Sequence, residues 1–505
     1  MLASILIQII LLLVGTCALY VHWKNRKFHK IFKIRPTNMR RVPLMEHAVN
    51  FMGSSEDRMN TFKKMAEETI NSGLVSFWLG PKFIVMVGDA LDAEFVLKTC
   101  LDKDDMVKIG HRLLGNGTIF APVSIWRPRR KVLAPTFGQK TLNNFVKIFS
   151  KQSAILAEQL ELAVGNDIPL FEKVATYSMN SVCETVLGVQ MKSQSNANNP
   201  FVQAFYQFSD IATQRMLNPW LYLDIIYRWH EDYPLFESCA KIMQQFVGKI
   251  IKSKRQDIYE RQQNNKIPDQ ENDKTKSLLE VLIVSGGDKG FNDLELQEES
   301  IVMILAGTDT SSVAVSFTAL MLAKHPDIQE KVYQEIKDEI GVTKSNIEPS
   351  DLLKLKYLEA VIKETMRLYP PVPIIIRKVE KDITLPSGVT LVSDLGVMIN
   401  ILAIHKNPKY WGPDSNKFRP ERFLEGPLEY PFAFIPFGYT PRSCLGYQYA
   451  MMSMKIVMAN MLRRYKVLPA KGSAIRSLAD DELPVTHTLM LKHRDNFEVQ
   501  LEPRN

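Results

Sequence analysis

A single cysteine, Cys444, lies in the segment of this 505-residue chain that is best suited to chemistry. The residues from Pro436 to Gly446 read Pro-Phe-Gly-Tyr-Thr-Pro-Arg-Ser-Cys-Leu-Gly, and an apolar, helix-like run begins at Tyr447. A cysteine stays deprotonated when a cation or a helix N-terminus is close, and this segment offers both. An isolated cysteine is more often a small buried hydrophobe. The pattern Phe…Arg-x-Cys-x-Gly favours instead a thiolate that serves as a metal ligand.

The segment resembles the haem-binding loop of the cytochromes P450, which usually reads Phe-x-x-Gly-x-Arg-x-Cys-x-Gly. The resemblance implies that Cys444 is the axial ligand of the haem iron, and that Phe437, Arg442 and Gly446 contact the cofactor. A thiolate in that position pushes electron density toward the iron and favours cleavage of the O–O bond. Other motifs of the family follow in their usual order along most of the chain.

Thr440 departs from this motif, because the family usually has glycine there. A β-branched residue held at positive φ would be strained by about 1–2 kcal/mol. Pro441 biases residue 440 toward extended angles. We therefore expect Gly438 to let the loop adjust while Thr440 keeps an ordinary conformation.

Polar residues interrupt a long apolar pattern between Leu294 and Lys324, in the run Ala-Gly-Thr-Asp-Thr that ends at Thr310. Threonine can bond back to a carbonyl four residues earlier and bend a helix, so a satisfied polar kink is one explanation. The run also resembles the family's oxygen-activation motif, which implies that Asp309 and Thr310 relay protons while water is excluded. Ala306 stands where several related hydroxylases carry a glutamate esterified to haem, so we expect haem b to be held non-covalently.

Arginine and tryptophan residues match the positions that bind haem propionates in the family. Trp126 and Arg130 fit a Trp-x-x-x-Arg pattern, Arg377 follows a proline-rich stretch, and Arg442 lies within the cysteine loop. The arginine fork pairs with carboxylates in a bidentate way. The stretch around Trp126 could also be a basic surface turn.

Glu364 and Arg367 are spaced i,i+3 on one predicted helix, and Arg422 follows in a Phe-Arg-Pro-Glu-Arg-Phe motif. A Glu-x-x-Arg pair alone is weak evidence, since most such pairs are solvated. In the family these three residues form a buried network that holds the cysteine loop. We therefore predict a structural role for them and not a catalytic one.

Composition excludes several classes of protein. The net charge is +8 with scattered basic residues, which suits an anionic membrane surface or an acidic partner. We find no nucleic-acid-binding motif. The cysteines show neither zinc-type pairing nor a disulfide framework, and they are Cys17, Cys100, Cys183, Cys239 and Cys444.

The N-terminal segment Met1–Trp23 contains no charged side chain. As a helix it would span roughly 34 Å, compared with about 30 Å of bilayer hydrocarbon. Lysine and arginine residues follow from Lys24, which predicts a cytoplasmic orientation for the rest of the chain. A cleaved signal peptide is the alternative, but no basic region precedes the apolar run. We predict one transmembrane helix in the endoplasmic reticulum membrane.

The predicted organisation is a membrane anchor (1–23), a basic juxtamembrane segment and hinge (24–43), and one haem-thiolate catalytic domain (44–505). Alternating residues predict a β-hairpin over Val75–Val87. Helical patterns predict buried helices over Leu294–Lys324 and Leu352–Leu368, and a polar surface loop falls at Gln262–Lys276. The fold class is mainly α with a small β region, the P450 fold.

The resemblance implies a microsomal monooxygenase that inserts one atom of dioxygen into an apolar fatty acid, hormone or xenobiotic. Its implied partners are membrane lipid, an NADPH–cytochrome P450 reductase that supplies electrons, and cytochrome b5 as an optional second donor. Asn218–Leu221 and His405–Trp411 resemble the fatty-acid hydroxylase clan and its insect relatives. The alternatives are a haem-thiolate isomerase or dehydratase acting on peroxides, and a non-enzymatic haem protein that binds ligands.

Basic residues on the cysteine side could form a face for the acidic reductase. They are Arg127, Arg129, Lys131, Lys455, Arg463 and Arg464.

Overall fold

The computed structural model describes residues 25–42, 45–191, 194, 199–263, 276–285, 290–342, 346–439, 441–478, 480–487 and 490–504, with scattered positions between 5 and 23. Most of the predicted anchor (1–23), most of the predicted loop Gln262–Lys276, and Thr440 lie outside these residues. What we predict for them stays a prediction.

The described chain groups into two compact units by its internal contacts. The first unit comprises Met1–Asp104, Ile374–Ile404 and Tyr439–Arg442. The second unit comprises Asp105–Pro373, His405–Gly438 and Ser443–Asn505. One catalytic domain over residues 44–505 remains a prediction.

Helices dominate the described residues, and strands form small sheets, which confirms the predicted fold class. The longer helices are α1 (Ser55–Ser72), α2 (Ala90–Thr99), α3 (Val123–Leu133), α4 (Gln139–Glu161), α5 (Leu170–Val186), α6 (Pro200–Leu217), α7 (Tyr233–Gln263), α8 (Asp293–Lys324), α9 (Pro326–Glu339), α10 (Lys356–Leu368) and α11 (Tyr447–Leu462). Shorter helices are His29–Ile34, His111–Leu114, Asp224–Tyr227, Leu278–Ser285, Pro349–Leu352, Ile401–Lys406 and Pro408–Trp411.

The strands pair within each unit. They are β1 (Leu74–Leu79), β2 (Lys82–Val87), β3 (Ile168–Pro169), β4 (Ile374–Lys378), β5 (Ile383–Thr384), β6 (Thr390–Leu391), β7 (Gly396–Asn400), β8 (Tyr465–Pro469), β9 (Val485–His487), β10 (Leu491–His493) and β11 (Glu498–Pro503). In the first unit, one sheet has the order β1-β2-β7-β4, and β5 pairs with β6. In the second unit, β11 lies between β3 and β8, and β9 pairs with β10.

The predicted hairpin is confirmed as the antiparallel pair β1 and β2, with Leu79 opposite Lys82. The two-residue connection requires positive φ at its first position, and Gly80 has φ 57°. Nearly every residue of both strands is buried, because β2 also pairs in parallel with β7.

Helix α8 forms the centre of the second unit and confirms the predicted buried helix. The Asn292 side chain accepts from the backbone N–H of Glu295, whose carboxylate accepts from the N–H of Asn292, a capping box. The helix ends at Lys324, just before His325 and Pro326, as the sequence predicts. Its C-terminal half is buried on every side, as expected for a helix at the centre of a large core.

Among the described residues, one helix has the length and hydropathy to cross a membrane, and it is α8. However, 67% of its apolar window is buried inside the protein, as in the core helix of a globular domain. The predicted N-terminal transmembrane helix is not among the spans found in the described part of the chain.

Helix α10 begins at Lys356 and not at the predicted Leu352. The carboxylate of Glu335 accepts from the backbone N–H groups of Tyr357 and Leu358, at 2.6 and 2.9 Å. These N–H groups lack intrahelical partners at a helix start, so the carboxylate fixes the boundary.

Candidate active site

The cysteine loop is held by short backbone contacts within the second unit. Gly438 has φ 67°, and its N–H donates to the carbonyl of Ile435 at 2.9 Å. The N–H of Cys444 donates to the carbonyl of Phe437 at 2.8 Å. The ring of Phe437 packs edge-to-face on Tyr447, with centroids 4.8 Å apart. The expected role of Gly438 in shaping the loop agrees with its left-handed conformation.

Gly446 is the N-cap of α11, so the cysteine precedes a helix N-terminus as the sequence predicts. A Cβ added at Gly446 would meet only the Sγ of Cys444, at 4.0 Å, among the described atoms. The packing of the loop itself therefore does not require glycine at this position. Open space beside a thiol is the shape expected where a flat group must approach the loop.

The thiol of Cys444 is exposed by its accessible surface, yet it is enclosed by enough protein that burial raises its pKa. The backbone N–H of Gly446 and the positive charge of Arg130 act in the opposite direction and favour the thiolate. The helix N-terminus agrees with the sequence interpretation, whereas the cation comes from Arg130 on α3 and the sequence interpretation had placed it within the cysteine segment.

Arg130 contacts the cysteine loop directly. Its guanidinium donates to the carbonyl of Ser443 at 2.6 Å and to the Ser443 hydroxyl at 3.3 Å. The resemblance implied a propionate partner for Arg130, and the structure places its cation beside the residue that precedes Cys444. Trp126 lies one turn earlier on α3 and is buried, which does not fit a surface turn.

The polar run in α8 combines a satisfied threonine with an unsatisfied carboxyl group. The Thr310 hydroxyl donates to the carbonyl of Ala306 at 2.5 Å, as a helix back-bond. Asp309 is buried, and its Oδ1 has no hydrogen-bond partner among the described residues. A satisfied kink therefore explains Thr310 but not Asp309.

Burial raises the pKa of Asp309 to about 6. The positive charge of Lys492 acts against this shift, and the carboxylate of Asp210 acts with it. A carboxyl group with such a pKa can both donate and accept protons near neutral pH.

Gly307 serves close packing between helices. A Cβ at this position would lie 2.9 Å from Cγ2 of Val182 on α5. This contact gives a direct reason for glycine at the position.

A cluster of cations lies in the first unit. Arg377 is 1% exposed, and its Nε has no hydrogen-bond partner among the described groups. Burial and the charge of Arg442 lower the pKa of Arg377 to about 10. Burial, followed by Arg377 and Arg442, lowers the pKa of Lys103 well below its ordinary value. Arg377 is buried, whereas Arg442 and Lys103 are half-buried, and an anion beside the three cations would stabilise them. Lys103 was missed because nothing in its local sequence marks it.

Glu364 and Arg367 form the predicted buried network. Both side chains are fully buried, and the carboxylate accepts from Nε and Nη2 of Arg367 at 2.7 and 2.8 Å. It also accepts from Nε of Arg422 at 3.1 Å and from the backbone N–H of Arg419 at 2.9 Å. Arg367 donates further to the carbonyl of Ser415 at 2.6 Å. The network therefore ties α10 to the irregular chain that leads toward the cysteine.

Arg129 is a residue for which the sequence interpretation is wrong. We placed it on a basic surface, but it is buried and bonds Glu298 at 2.8 Å and Glu299 at 3.1 Å. It also donates to the carbonyl of Asn116 at 2.7 Å. Reversing this charge would therefore leave buried carboxylates without their cation and would not test docking of a reductase.

The same carboxylates hold the loop formed by residues 115–118 against α8. Glu299 accepts from the backbone N–H of Thr118 at 3.0 Å and from its hydroxyl at 2.7 Å. Gly115 has φ 48°, and a Cβ there would collide with the carboxylate of Glu298. The loop is thus fixed by ion pairing and by the absence of a side chain at one position.

Lys455 and Arg463 are likewise buried and do not belong to a surface. Lys455 bonds Glu359 at 3.0 Å. The basic residues of the predicted face that remain exposed or half-buried are Arg127, Lys131 and Arg464.

Comparisons with known proteins agree with this geometry. A family model described as Cytochrome P450 matches residues 36–496. Cytochrome P450 4d2 of Drosophila melanogaster is 31% identical over 479 residues, covering 92% of this chain and 93% of the relative. Cytochrome P450 4V2 of Homo sapiens is 28% identical over 490 residues, covering 95% and 91%. Cytochrome P450 4c21 of Blattella germanica is 30% identical over 420 residues, covering 81% and 83%. The chain therefore belongs to the cytochrome P450 family of haem-thiolate monooxygenases.

Proposed function

We propose that this monooxygenase inserts one oxygen atom into an apolar fatty acid, hormone or xenobiotic, with electrons from NADPH delivered by a separate reductase. The observation that carries the proposal is the accessible thiol of Cys444, which the N–H of Gly446 and the cation of Arg130 favour as a thiolate. The apolar substrate class rests on the resemblance of Asn218–Leu221 and His405–Trp411 to the fatty-acid hydroxylase clan.

Haem b is the cofactor that fits these residues. When bound, it supplies the iron at which dioxygen is activated. Cys444 would be its axial ligand, and the open space beside Gly446 suits a flat macrocycle. Phe437 would stand next to the thiolate, and Ala306 offers no carboxylate for an ester. The attachment would therefore be non-covalent.

The cofactor also carries two propionates, which need cations. Arg377 and Arg442 lie among like charges in the first unit, and the buried Nε of Arg377 lacks a partner in the described chain. A carboxylate would remove that deficiency. We assign the same task to Trp126 and Arg130 on the basis of the family pattern, with Arg130 also bracing Ser443.

Protons would be managed by Asp309 and Thr310. The buried carboxyl group of Asp309, whose Oδ1 has no hydrogen-bond partner among the described residues, can exchange protons near neutral pH. The Thr310 hydroxyl, fixed by its bond to Ala306, would orient a proton donor toward the reacting oxygen. An isomerase or dehydratase acting on peroxides would need neither these protons nor NADPH.

Thr310→Ala should preserve the haem spectrum but lower the amount of product formed per NADPH several-fold. Electrons from NADPH would then reduce dioxygen to hydrogen peroxide or water, because proton delivery would no longer favour transfer of oxygen to the substrate. The measurement is NADPH-dependent oxygen uptake and product yield with purified reductase. Thr308→Ala is the matched control, since Thr308 makes the same back-bond, to Ile304 at 2.8 Å. Equal product yields in all three proteins would refute the role of Thr310, and no oxygen uptake by the wild type would refute the monooxygenase proposal.

Membrane attachment is supported by an exposed apolar segment in the second unit. Between Pro219 and Trp229 the exposed side chains include Ile225 at 73% and Trp229 at 89%. Others are Trp220, Leu223 and Ile226. Large exposed patches of this kind mark interaction sites, and tryptophan favours the membrane interface. With the predicted anchor 1–23, this segment supports attachment to a membrane, and the side we propose is the cytoplasmic face of the endoplasmic reticulum.

In vesicles that contain brominated lipid, the fluorescence of the full-length protein should be quenched partly through Trp229. Trp229→Phe should therefore reduce the quenched fraction. Trp78→Phe is the control, because Trp78 is buried. If Trp229→Phe and the wild type are quenched equally, the segment does not enter the bilayer.

The reductase, with cytochrome b5 as an optional second donor, completes the proposed system. Arg127 and Lys131 are exposed on one turn of α3 and could meet an acidic partner.

A further inference from the structure

We propose that His405 is a positioning residue for the cysteine loop, joining the C-terminal end of α10 to the backbone that leads to Cys444 as a neutral imidazole of one tautomer. The inference rests on the haem-thiolate function proposed above. His405 belongs to the motif His405–Trp411, which resembles the fatty-acid hydroxylase clan.

Both ring nitrogens of His405 contact backbone groups. The N–H of Ile435 donates to Nε2 at 2.9 Å, so Nε2 carries no hydrogen. Nδ1 lies 3.2 Å from the carbonyl of Arg367 and must then carry the proton and donate it. The two contacts fix the tautomer as Nδ1–H.

The ring of His405 is held by packing as well as by its two hydrogen bonds. It is fully buried and stacks on Phe434, with centroids 5.4 Å apart. Burial, followed by the charge of Arg367, lowers the pKa of His405 to about 3, so the ring is neutral at physiological pH. The carbonyl of His405 also accepts from Nη1 of Arg367 at 2.8 Å, which anchors the backbone of the histidine to the same arginine.

Each bond satisfies a group that would otherwise be buried without a partner. The carbonyl of Arg367 lies in the last turn of α10, where carbonyls lack intrahelical donors. Ile435 is buried and begins the turn closed by Gly438. Within that turn, the carbonyl of Phe437 accepts from the N–H of Cys444. Hydrogen bonds and the short backbone segment from Ile435 to Phe437 therefore connect α10 through His405 to the cysteine.

Loss of the acceptor at Nε2 should loosen the cysteine loop without removing the thiolate. We expect His405→Phe, which keeps a ring but no nitrogen, to lower the thiolate-ligated fraction of the reduced carbon monoxide complex several-fold. His405→Gln should restore most of that fraction, because its carbonyl oxygen can reach the position of Nε2 and accept from Ile435. Haem content and thermal unfolding are measured on the same samples.

Three outcomes decide the matter. A wild-type protein without the thiolate band would refute the proposed function itself. A wild-type band that persists unchanged in His405→Phe would refute only the role of His405. Failure of His405→Gln to recover the band lost in His405→Phe would also overturn the role.

A measurement on the wild type covers the case in which His405→Phe does not fold. Nitrogen-15 NMR of histidine-labelled protein, with the His405→Gln spectrum used for assignment, should show a neutral ring protonated at Nδ1. A doubly protonated ring at neutral pH, or a ring protonated at Nε2, would overturn the proposal.

Discussion

Cys444→His should abolish the red-shifted Soret band that the reduced protein gives with carbon monoxide, and monooxygenase activity with it. The band would report a thiolate ligand on the haem iron. An imidazole can occupy the same position as a ligand, but it does not push electron density toward the iron in the same way. The haem could therefore stay bound while the characteristic spectrum and the chemistry are lost.

Cys239→Ala provides the matched control. Cys239 is buried on α7, and its Sγ lies 3.5 Å from Oε1 of Gln207 on α6. This variant should keep the band. If Cys444→His also keeps it, the ligand is a different residue, whereas loss in both variants would show that the spectrum reports folding.

Glu364→Gln is expected to lower the free energy of unfolding by about 3–5 kcal/mol, because it leaves buried Arg367 without its anion and removes one of the two carboxylates that pair with Arg422. Single domains are usually stable by only about 5–15 kcal/mol. The variant should therefore lose much of its stability and release haem readily. Chemical denaturation followed by far-UV circular dichroism measures the change, and haem retention is read on the same samples.

An exposed ion pair provides the comparison for this change in the free energy of unfolding. Glu94 and Lys98 form an i,i+4 ion pair on the surface of α2. Glu94→Gln should change the free energy of unfolding by about 0.5 kcal/mol or less. If Glu364→Gln were no more destabilising than Glu94→Gln, the buried network would not hold the fold.

Local patterns were sufficient to predict the elements that carry the chemistry. The apolar run before Lys324 predicted α8 because a helix buried on all sides needs no polar face. The helix after Cys444 and the hairpin of β1 and β2 followed from equally local signals, namely a long apolar run and two alternating segments around Gly80. The Glu-x-x-Arg pair was predicted as buried only through the family pattern.

Partners that are distant in sequence could not be predicted in this way. Arg129 and Glu298 are 169 positions apart, and nothing near Arg129 indicates that it is neutralised inside the protein. His405 bonds Ile435, 30 positions away, and the sequence between them is irregular. A cluster of basic residues has the same local sequence whether its side chains are solvated or buried in ion pairs, because burial is decided by the tertiary fold.

The 115–118 loop has a practical consequence for directed evolution. Loops are the usual targets of saturation libraries, because they tolerate change more often than helices. Here Gly115 faces the carboxylate of Glu298, and Thr118 is bonded to Glu299 through both backbone and hydroxyl. Most clones randomised at these two positions would be discarded for poor expression before their selectivity could be measured. A library that keeps Gly115, Thr118 and Arg129 unchanged would retain far more folded members.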